Sequence, residues 1–595
     1  MPTASKGPLP FAWRDVQLLA SELVRPASNT NDAGAAGSTR GAAAQPQQQP
    51  RLLSCWDNAM AYAGQFGGGV VFGETLNTPR LKEALALALD TMPFFAGRLT
   101  FLQDGRLDLA LNGAGARFVA ASTATTLPEL QEALRTRPYP RYPCGPGPWA
   151  PMWPPHDVAA LVRDQWPMAA GYVLHLSGGG SALWVAANHV MADFESLQTL
   201  AAHWSAAYNH LCRLTANGQP SQSSTVKKAP GGGHGPAGTQ APRPVYEELV
   251  EPARRGPVPI GADALEGMAA GEEEQAAAAA AGTPVRRPEV AEAKWWSGLA
   301  LGAYVWYHLF RRGGGVEVRS AAIPAARLAQ LKAAATADLA APAPGTAVRA
   351  GAAPRPAAAP AAAAAAASGS AAAGPAAGAA PVAWVSTNDA LLGRLMQVLH
   401  SLPTRRGTPL AAFFAADMRR RLRPALPPAL LGNVFYSARA EGLRPGEQGL
   451  GQVAASVRQA LGHLEPQFRA ALTRTAAALA RVGPCRLVFA FCLERQAQEN
   501  IFAPEGPLNT TRWDVDFRLW QFGPSPLLAF LPAANLAASV ILMHPEPPPP
   551  EGSSERGKAG PAGGARAEDL VLHCCMHRVL WAELDETGKD LAAAL

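Results

Sequence analysis

Two spacings of apolar residues alternate along this chain, one of period two and one of helical period, and the switches between them mark out its elements. Val70-Val-Phe-Gly reads as a short strand. Thr78-Pro-Arg-Leu-Lys-Glu-Ala-Leu follows with Thr78 as an N-cap, Pro79 at the first helical position and a continuing apolar face, which predicts an amphipathic helix. Gly97 to Leu102 and Arg106 to Leu111, joined by Gln103-Asp-Gly, predict a hairpin. A second hairpin pairs Gly171-Tyr-Val-Leu-His-Leu with Ala182-Leu-Trp-Val-Ala-Ala-Asn-His across Ser177-Gly-Gly-Gly. In the later part, strands are expected at Val316–Arg319, Leu410–Ala416, Val434–Ala438 and near Leu527–Leu531. Helices are expected at Ala325–Ala335, Ser386–Leu399 and Gly449–Leu464. Strands and helices mixed in both halves predict α/β architecture.

Four stretches break the pattern. Residues 27–50, 216–290, 340–382 and 546–566 are rich in Gly, Ala, Pro, Ser and Gln, and are expected to be disordered inserts or linkers. They divide the chain into an N-terminal domain, 1–215, a crossover, 216–290, and a C-terminal domain, 291–595. Composition agrees: 57 Gly and 55 Pro in 595 residues fall short of a disordered chain but call for such inserts.

Charge changes the picture mainly by exclusion. The 52 Lys and Arg against 46 Asp and Glu are spread without a basic block, so no nucleic-acid surface is expected. Seven cysteines, an odd number without a Cys-x-x-Cys pair, suit reduced thiols and a cytoplasmic protein. The N-terminus shows no apolar signal-peptide core. Trp295 to Phe310 is free of formal charge and flanked by Lys294 and Arg311-Arg312, but it is shorter than the ~20 residues of a bilayer span. Weak interfacial membrane contact through 295–310 is one reading and a packed helix the other. His573-Cys574-Cys575-Met576-His577 has metal-ligand residue types, but strand alternation would divide them between two faces and no distant partner pair is visible, so no metal site is expected.

The chemistry concentrates at Asn188-His189-Val190-Met191-Ala192-Asp193, where an apolar strand ends in a His and Asp193, with Ser196, begins the next helix. Alone, this is as readily a buried strand-end His with an N-cap Asp. Several segments in order, however, resemble one family, the BAHD acyltransferases. They are Leu81 to Leu99 with its Pro-x-x-Ala-Gly-Arg-Leu end, His189 to Asp193 as an H-x-x-x-D motif, Ser386-Thr-Asn-Asp-Ala-Leu, and Ala416-Asp-Met-Arg-Arg-Arg-Leu-Arg-Pro through Gly432-Asn433-Val434. Thr511-Arg-Trp513 resembles a further T-x-W. Gln521-Phe-Gly-Pro-Ser-Pro526 keeps Phe522, Gly523 and a proline of the family's D-F-G-W-G-K-P segment but lacks its Asp and Trp, with Asp516-Phe517 as another alignment. Phe194 stands where the family usually has Gly.

The resemblance implies two similar chloramphenicol-acetyltransferase-like α/β domains of mixed sheets, joined by a long crossover and forming a channel. It implies direct acyl transfer from an acyl-CoA co-substrate to a small-molecule alcohol or amine by a monomer, with no permanently bound cofactor. His189 is implied as general base, a role suited to a neutral imidazole. Thr511 hydroxyl and Trp513 indole N–H are implied as oxyanion donors, Asp193 as a loop-holding partner of Arg419, and Gly432, Asn433, Phe522 and Gly523 as structural support. The rival readings are a non-catalytic member that binds acyl-CoA or a partner, and a membrane-associated enzyme acting on a lipid alcohol.

Overall fold

The computed structural model of the chain describes residues 13–28, 52–135 apart from 62, 158–217, scattered positions from 250 to 312, 314–340, 382, 384–482 apart from 463, 503–533, 540–547, 569–588 and 591–595. Most of the four predicted inserts, most of 295–310, and Cys144, Cys485 and Cys492 lie outside the described residues.

The first half contributes β1 (Gln17–Val24), α1 (Cys55–Ala59), β2 (Gln65–Phe72), α2 (Thr78–Thr91), β3 (Arg98–Phe101), β4 (Leu107–Ala110), β5 (Ala116–Thr126), α3 (Leu127–Arg135), α4 (Val158–Arg163), β6 (Ala169–Ser177), β7 (Ser181–Asn188) and α5 (Phe194–Ala216). The second contributes β8 (Val316–Ile323), α6 (Ala325–Ala340), α7 (Thr387–His400), β9 (Leu410–Asp417), β10 (Phe435–Leu443), α8 (Leu450–Gly462), α9 (Leu464–Val482), β11 (Leu508–Arg512), β12 (Leu527–Ala533), β13 (Val540–Pro545), β14 (Leu570–His577), α10 (Arg578–Glu586) and α11 (Leu591–Ala594).

Two six-stranded mixed sheets result, ordered β1-β5-β6-β7-β2-β12 and β10-β9-β11-β13-β14-β8, with β3 and β4 as a separate hairpin. In the first sheet only β5 and β6 run parallel. In the second, β9, β11 and β13 do. This is the mixed α/β architecture that the periodicity predicts. One face of the first sheet packs on α2 and α5 through Leu81, Leu85, Leu89, Leu197, Leu200 and Trp204. The second sheet packs on α6, α7 and α8 through Leu328, Leu331, Leu391, Leu395, Val453 and Val457. Full burial of such side chains contributes roughly 1.5–3 kcal/mol each before chain entropy is counted.

The halves interlock. β12, from the C-terminal half, closes the first sheet by pairing with β2, Phe530 opposite Val70 and Leu531 opposite Gly69. In exchange α1, from the N-terminal half, sits in the second core, where Trp56 meets Phe468 edge-on with ring centroids 5.6 Å apart. Within the crossover, Val250, Arg254 and Leu265 are buried, and the Arg254 guanidinium reaches Thr199 Oγ1 on α5 at 2.6 Å.

Local details differ from expectation in instructive ways. The cap of α2 is Asn77, whose Oδ1 accepts from Arg80 N–H at 2.9 Å, and the Thr78 hydroxyl instead meets His175 Nε2. An amide oxygen serves as well as a hydroxyl there. Strand β5 escapes notice because its run of Ala, Ser and Thr carries a weak alternation, yet it is the second strand of its sheet. Of the aromatic run 295–310, Trp306 and Tyr307 are exposed and a short π-helical turn spans Tyr307–Arg312. No helix among the described residues is long and apolar enough to cross a membrane.

Candidate active site

His189 leaves the end of β7 in a turn fixed from both sides. Its N–H donates to Gly64 O at 2.7 Å, and Val190 N–H donates to Asn188 Oδ1 at 3.0 Å. Val190, Met191 and Ala192 sink wholly into the first core. Three buried apolar residues between the His and the Asp leave those two side chains for the junction between the sheets.

Asp193 is the N-cap of α5, its Oδ1 accepting from Ser196 N–H at 3.0 Å. It also receives the second half of the molecule. Arg419, just beyond β9, donates Nη1 to Asp193 Oδ2 at 2.8 Å and Nη2 to Asp193 Oδ1 at 2.9 Å, a bidentate pair. Val434 N–H adds a bond to Asp193 Oδ2 at 3.0 Å. Arg419 further donates to the carbonyls of Leu430 and Gly432 and to Asp417 Oδ1. Burial pushes the Asp193 carboxyl up, but the Arg419 charge and these hydrogen bonds outweigh it and hold it below the usual carboxylate value. Arg419 itself is penalised by burial and raised on balance by Asp193 and Asp417. The ion pair therefore joins the two halves in the charged state.

Gly432 and Asn433 complete the junction. Gly432 adopts φ +111°, a left-handed conformation that costs glycine little, and a Cβ there would lie 3.5 Å from the Asp57 carboxylate oxygens. The next residue thereby reaches His189: Asn433 Oδ1 lies 2.9 Å from His189 Nδ1, and Asn433 Nδ2 donates to His189 O at 2.6 Å. Burial lowers the His189 pKa, while the Asp193 charge, Asn433 and the carbonyls of His189 and Ala192 oppose that, leaving it below the ordinary histidine value. The imidazole is thus neutral at neutral pH, the state a base requires.

Aromatic rings surround it. Phe66 and Phe435 lie 4.6 and 5.6 Å from the His189 ring, and Trp513 lies 6.3 Å beyond Phe66. Trp513 follows β11, its N–H bonded to Met543 O, with the half-buried Thr511 two residues earlier on the strand. Phe194 stacks flat on Trp513 with centroids 4.3 Å apart and an interplanar angle of 10°.

Phe522 and Gly523 lie elsewhere. Phe522 is wholly buried against Phe72, Trp204 and Tyr208, and Gly523, at φ +88°, donates its N–H to Asn209 Oδ1 of α5 at 2.7 Å. Their segment docks the second half on α5 and leads into β12. Asp516 caps a single 3-10 turn.

Two buried polar arrangements escaped the sequence reading. Asp57 of α1 is fully buried and bonded to Asn433. Ser54-x-x-Asp57, a capping box in this structure, is the local signal that could have found it. The other, apart from His189, is the contact of His544 with His573. His544 Nε2 lies 2.8 Å from His573 Nε2, and all of His573–His577 is buried on β14. Among the described residues no group of three or more His, Cys, Asp or Glu is placed to hold a metal ion.

Residues 66–226, from β2 through the His189 turn to the end of α5, match the Transferase family. Over that stretch the chain is similar to this family. Two curated relatives are similar to part of the chain: the acyltransferase GLAUCE of Arabidopsis thaliana, 30% identical over 129 residues, and a hydroxycinnamoyltransferase of Narcissus pseudonarcissus, 32% identical over 131. These alignments cover 22% and 21% of this chain and 26% of each relative, so the chain spans about a quarter of the length of the curated relatives it matches. Among solved structures, vinorine synthase is similar at a TM-score of 0.47 and 13% identity over 96% of both chains. F. sporotrichioides TRI101, complexed with coenzyme A and T-2, is similar at 0.48 and 14% over 90% of this chain and 96% of that one.

Proposed function

We propose that the protein is an acyltransferase that moves an acyl group from an acyl-CoA thioester directly to a hydroxyl or amine of a small-molecule acceptor, with His189 as general base. The observation that carries this is the His189 ring itself: neutral, partly exposed, engaged at Nδ1 by Asn433 and so left with Nε2 to take a proton. The acceptor O–H or N–H bond breaks as its proton passes to Nε2, and the freed lone pair attacks the thioester carbonyl carbon. The tetrahedral oxyanion then collapses, the C–S bond breaks, and the coenzyme A thiolate leaves, taking the proton from the imidazolium. A thiol pKa near 8–9 makes that departure easy without a separate acid. Thr511 hydroxyl and Trp513 indole are the proposed oxyanion donors. Asp193 and Arg419 take no part in proton transfer; they hold the loop that presents His189.

The working unit is both halves together, because His189 comes from one side of the crossover and Asn433 and Arg419 from the other. The reading places the protein in the cytoplasm as a monomer; the described Cys55, Cys212, Cys574 and Cys575 form no disulfide, as a reducing compartment requires.

The test is release of free coenzyme A thiol from purified protein, with acetyl-, malonyl-, p-coumaroyl- and long-chain acyl-CoA and pooled alcohols and amines, beside a His189→Ala control. Acceptor-dependent release that falls at least about a hundredfold in the control, with an unchanged melting curve, is the expected result. Turnover that survives in His189→Ala removes the base from the mechanism. Acyl-CoA binding without release across the panel turns the reading to a binding protein of the same fold.

A further inference from the structure

Asp57 belongs by sequence to the first half and by packing to the second, and its carboxylate does more than cap α1. Oδ2 accepts from Ser54 N–H at 2.9 Å and from Ser54 Oγ at 2.6 Å, which is the helix cap. Oδ1 accepts from Asn433 N–H at 2.7 Å and Asn433 Nδ2 at 2.8 Å, which no cap requires. All four partners donate, and Asp57 is completely buried, so the carboxylate is the acceptor for which this pocket is built.

The amide of Asn433 is determined by this arrangement. One Nδ2 hydrogen goes to Asp57 Oδ1 and the other to His189 O. Turning the amide over would set its oxygen against a carboxylate and a carbonyl, two repulsive contacts in a buried site. Its Oδ1 is therefore held toward His189 Nδ1, and a carbonyl oxygen can only accept. The hydrogen must then be on Nδ1, and the lone pair on Nε2.

We infer that Asp57 is a positioning residue for His189, acting through Asn433 to fix the imidazole tautomer that leaves Nε2 free. This rests on the proposed role of His189 as the base. Asp57 touches neither the imidazole nor a reacting atom; it removes the Asn433 rotamer that would offer His189 an N–H and reverse the tautomer. The gap of 376 residues between Asp57 and Asn433 also makes the base dependent on α1 lying in the second core.

The test uses protein labelled with 15N at histidine, with His189 assigned by the signal missing from His189→Gln. At a pH where the ring is neutral, wild type is expected to show His189 as the Nδ1–H tautomer; an Nε2–H tautomer overturns the inference. In Asp57→Ala a mixture of tautomers is expected, with kcat lowered at least about tenfold and KM for acyl-CoA within about twofold. Ser54→Ala, which removes the cap but keeps the carboxylate against Asn433, is expected to retain both tautomer and kcat. If Asp57→Ala keeps the wild-type tautomer and kcat, or if Ser54→Ala matches it in both losses, Asp57 is only a cap. Should Asp57→Ala not fold, Asp57→Asn keeps the volume but offers one acceptor oxygen to four donors, and the same two readouts decide. Turnover surviving in His189→Ala would remove His189 as base, yet the spectra would still report whether Asp57 sets its tautomer.

Discussion

Among the described residues, the imidazoles of His573 and His189 have been placed in opposite situations by their partners. At His573 both ring nitrogens are engaged: Nδ1 lies 2.8 Å from Ser320 Oγ and Nε2 lies 2.8 Å from His544 Nε2. His544 Nδ1 in turn meets Pro545 O at 2.6 Å. A carbonyl only accepts, so His544 carries its hydrogen on Nδ1, His573 must donate from Nε2, and Ser320 donates to His573 Nδ1. The chain of donors runs one way, both rings are neutral, and both are sealed from solvent at 0–1% exposure. His189 is held by the same kind of bond at one nitrogen, but it remains partly exposed, and the other nitrogen is the one proposed to take the acceptor's proton. Residue type does not separate the two sites. The number of nitrogens already committed, and access to solvent, do.

The sharpest way to break this comparison is to remove what holds His189 in place. Arg419→Ala leaves Asp193 charged and unpaired at the junction, and a loss of about 3–5 kcal/mol in unfolding free energy by urea titration is expected. Arg419→Lys should recover only part of it, since an ammonium cannot make the bidentate contact. A loss below about 1 kcal/mol would mean that the halves are held by other contacts.

The sealed pair should answer instead to acid. Burial drives His544 down to about 4 from the ordinary 6.5, and His573 is held well below the ordinary value by burial and by His544 beside it. A depressed folded value means that the unfolded chain binds the proton first. The contribution of His544 is therefore fully present above pH 6.5 and is lost as pH falls through 4, about 3 kcal/mol in all. Denaturation curves across that window should show the loss in wild type. In His544→Gln, whose amide oxygen can still accept from His573, it should flatten, while turnover at neutral pH stays at the wild-type level. An equal acid loss in both proteins would place it in other groups. The smallest effect is expected at Phe194→Ala, where loss of the stack on Trp513 should cost about 1–2 kcal/mol and change the selectivity among acyl-CoA donors, measured as ratios of kcat/KM. Unchanged ratios would show that the ring does not border the reacting groups.

Much of this was legible in the chain. The 3.6 and 2 periodicities locate α2, α5, α7, the β3–β4 and β6–β7 hairpins and β9, because each is an element with one face to bury. The H-x-x-x-D spacing and the Asp-x-Arg segment pointed to His189, Asp193 and Arg419 through their resemblance to family motifs, whereas the helix cap at Asp193 is a local pattern. Phe522 and Gly523 were legible as a motif but not as a place, for nothing in their neighbours says that they dock on α5.

What the sequence determined by itself, then, is which segments fold locally and which side chains are candidates for the chemistry. What only the tertiary structure decided is who meets whom: β12 in the first sheet, α1 in the second core, His544 against His573, and Asp57 behind Asn433. Local periodicity records the burial of one face, which depends on residues three or four apart. Partners separated by hundreds of residues are chosen by how two cores and two sheet edges close on each other, and that choice leaves no period in the chain.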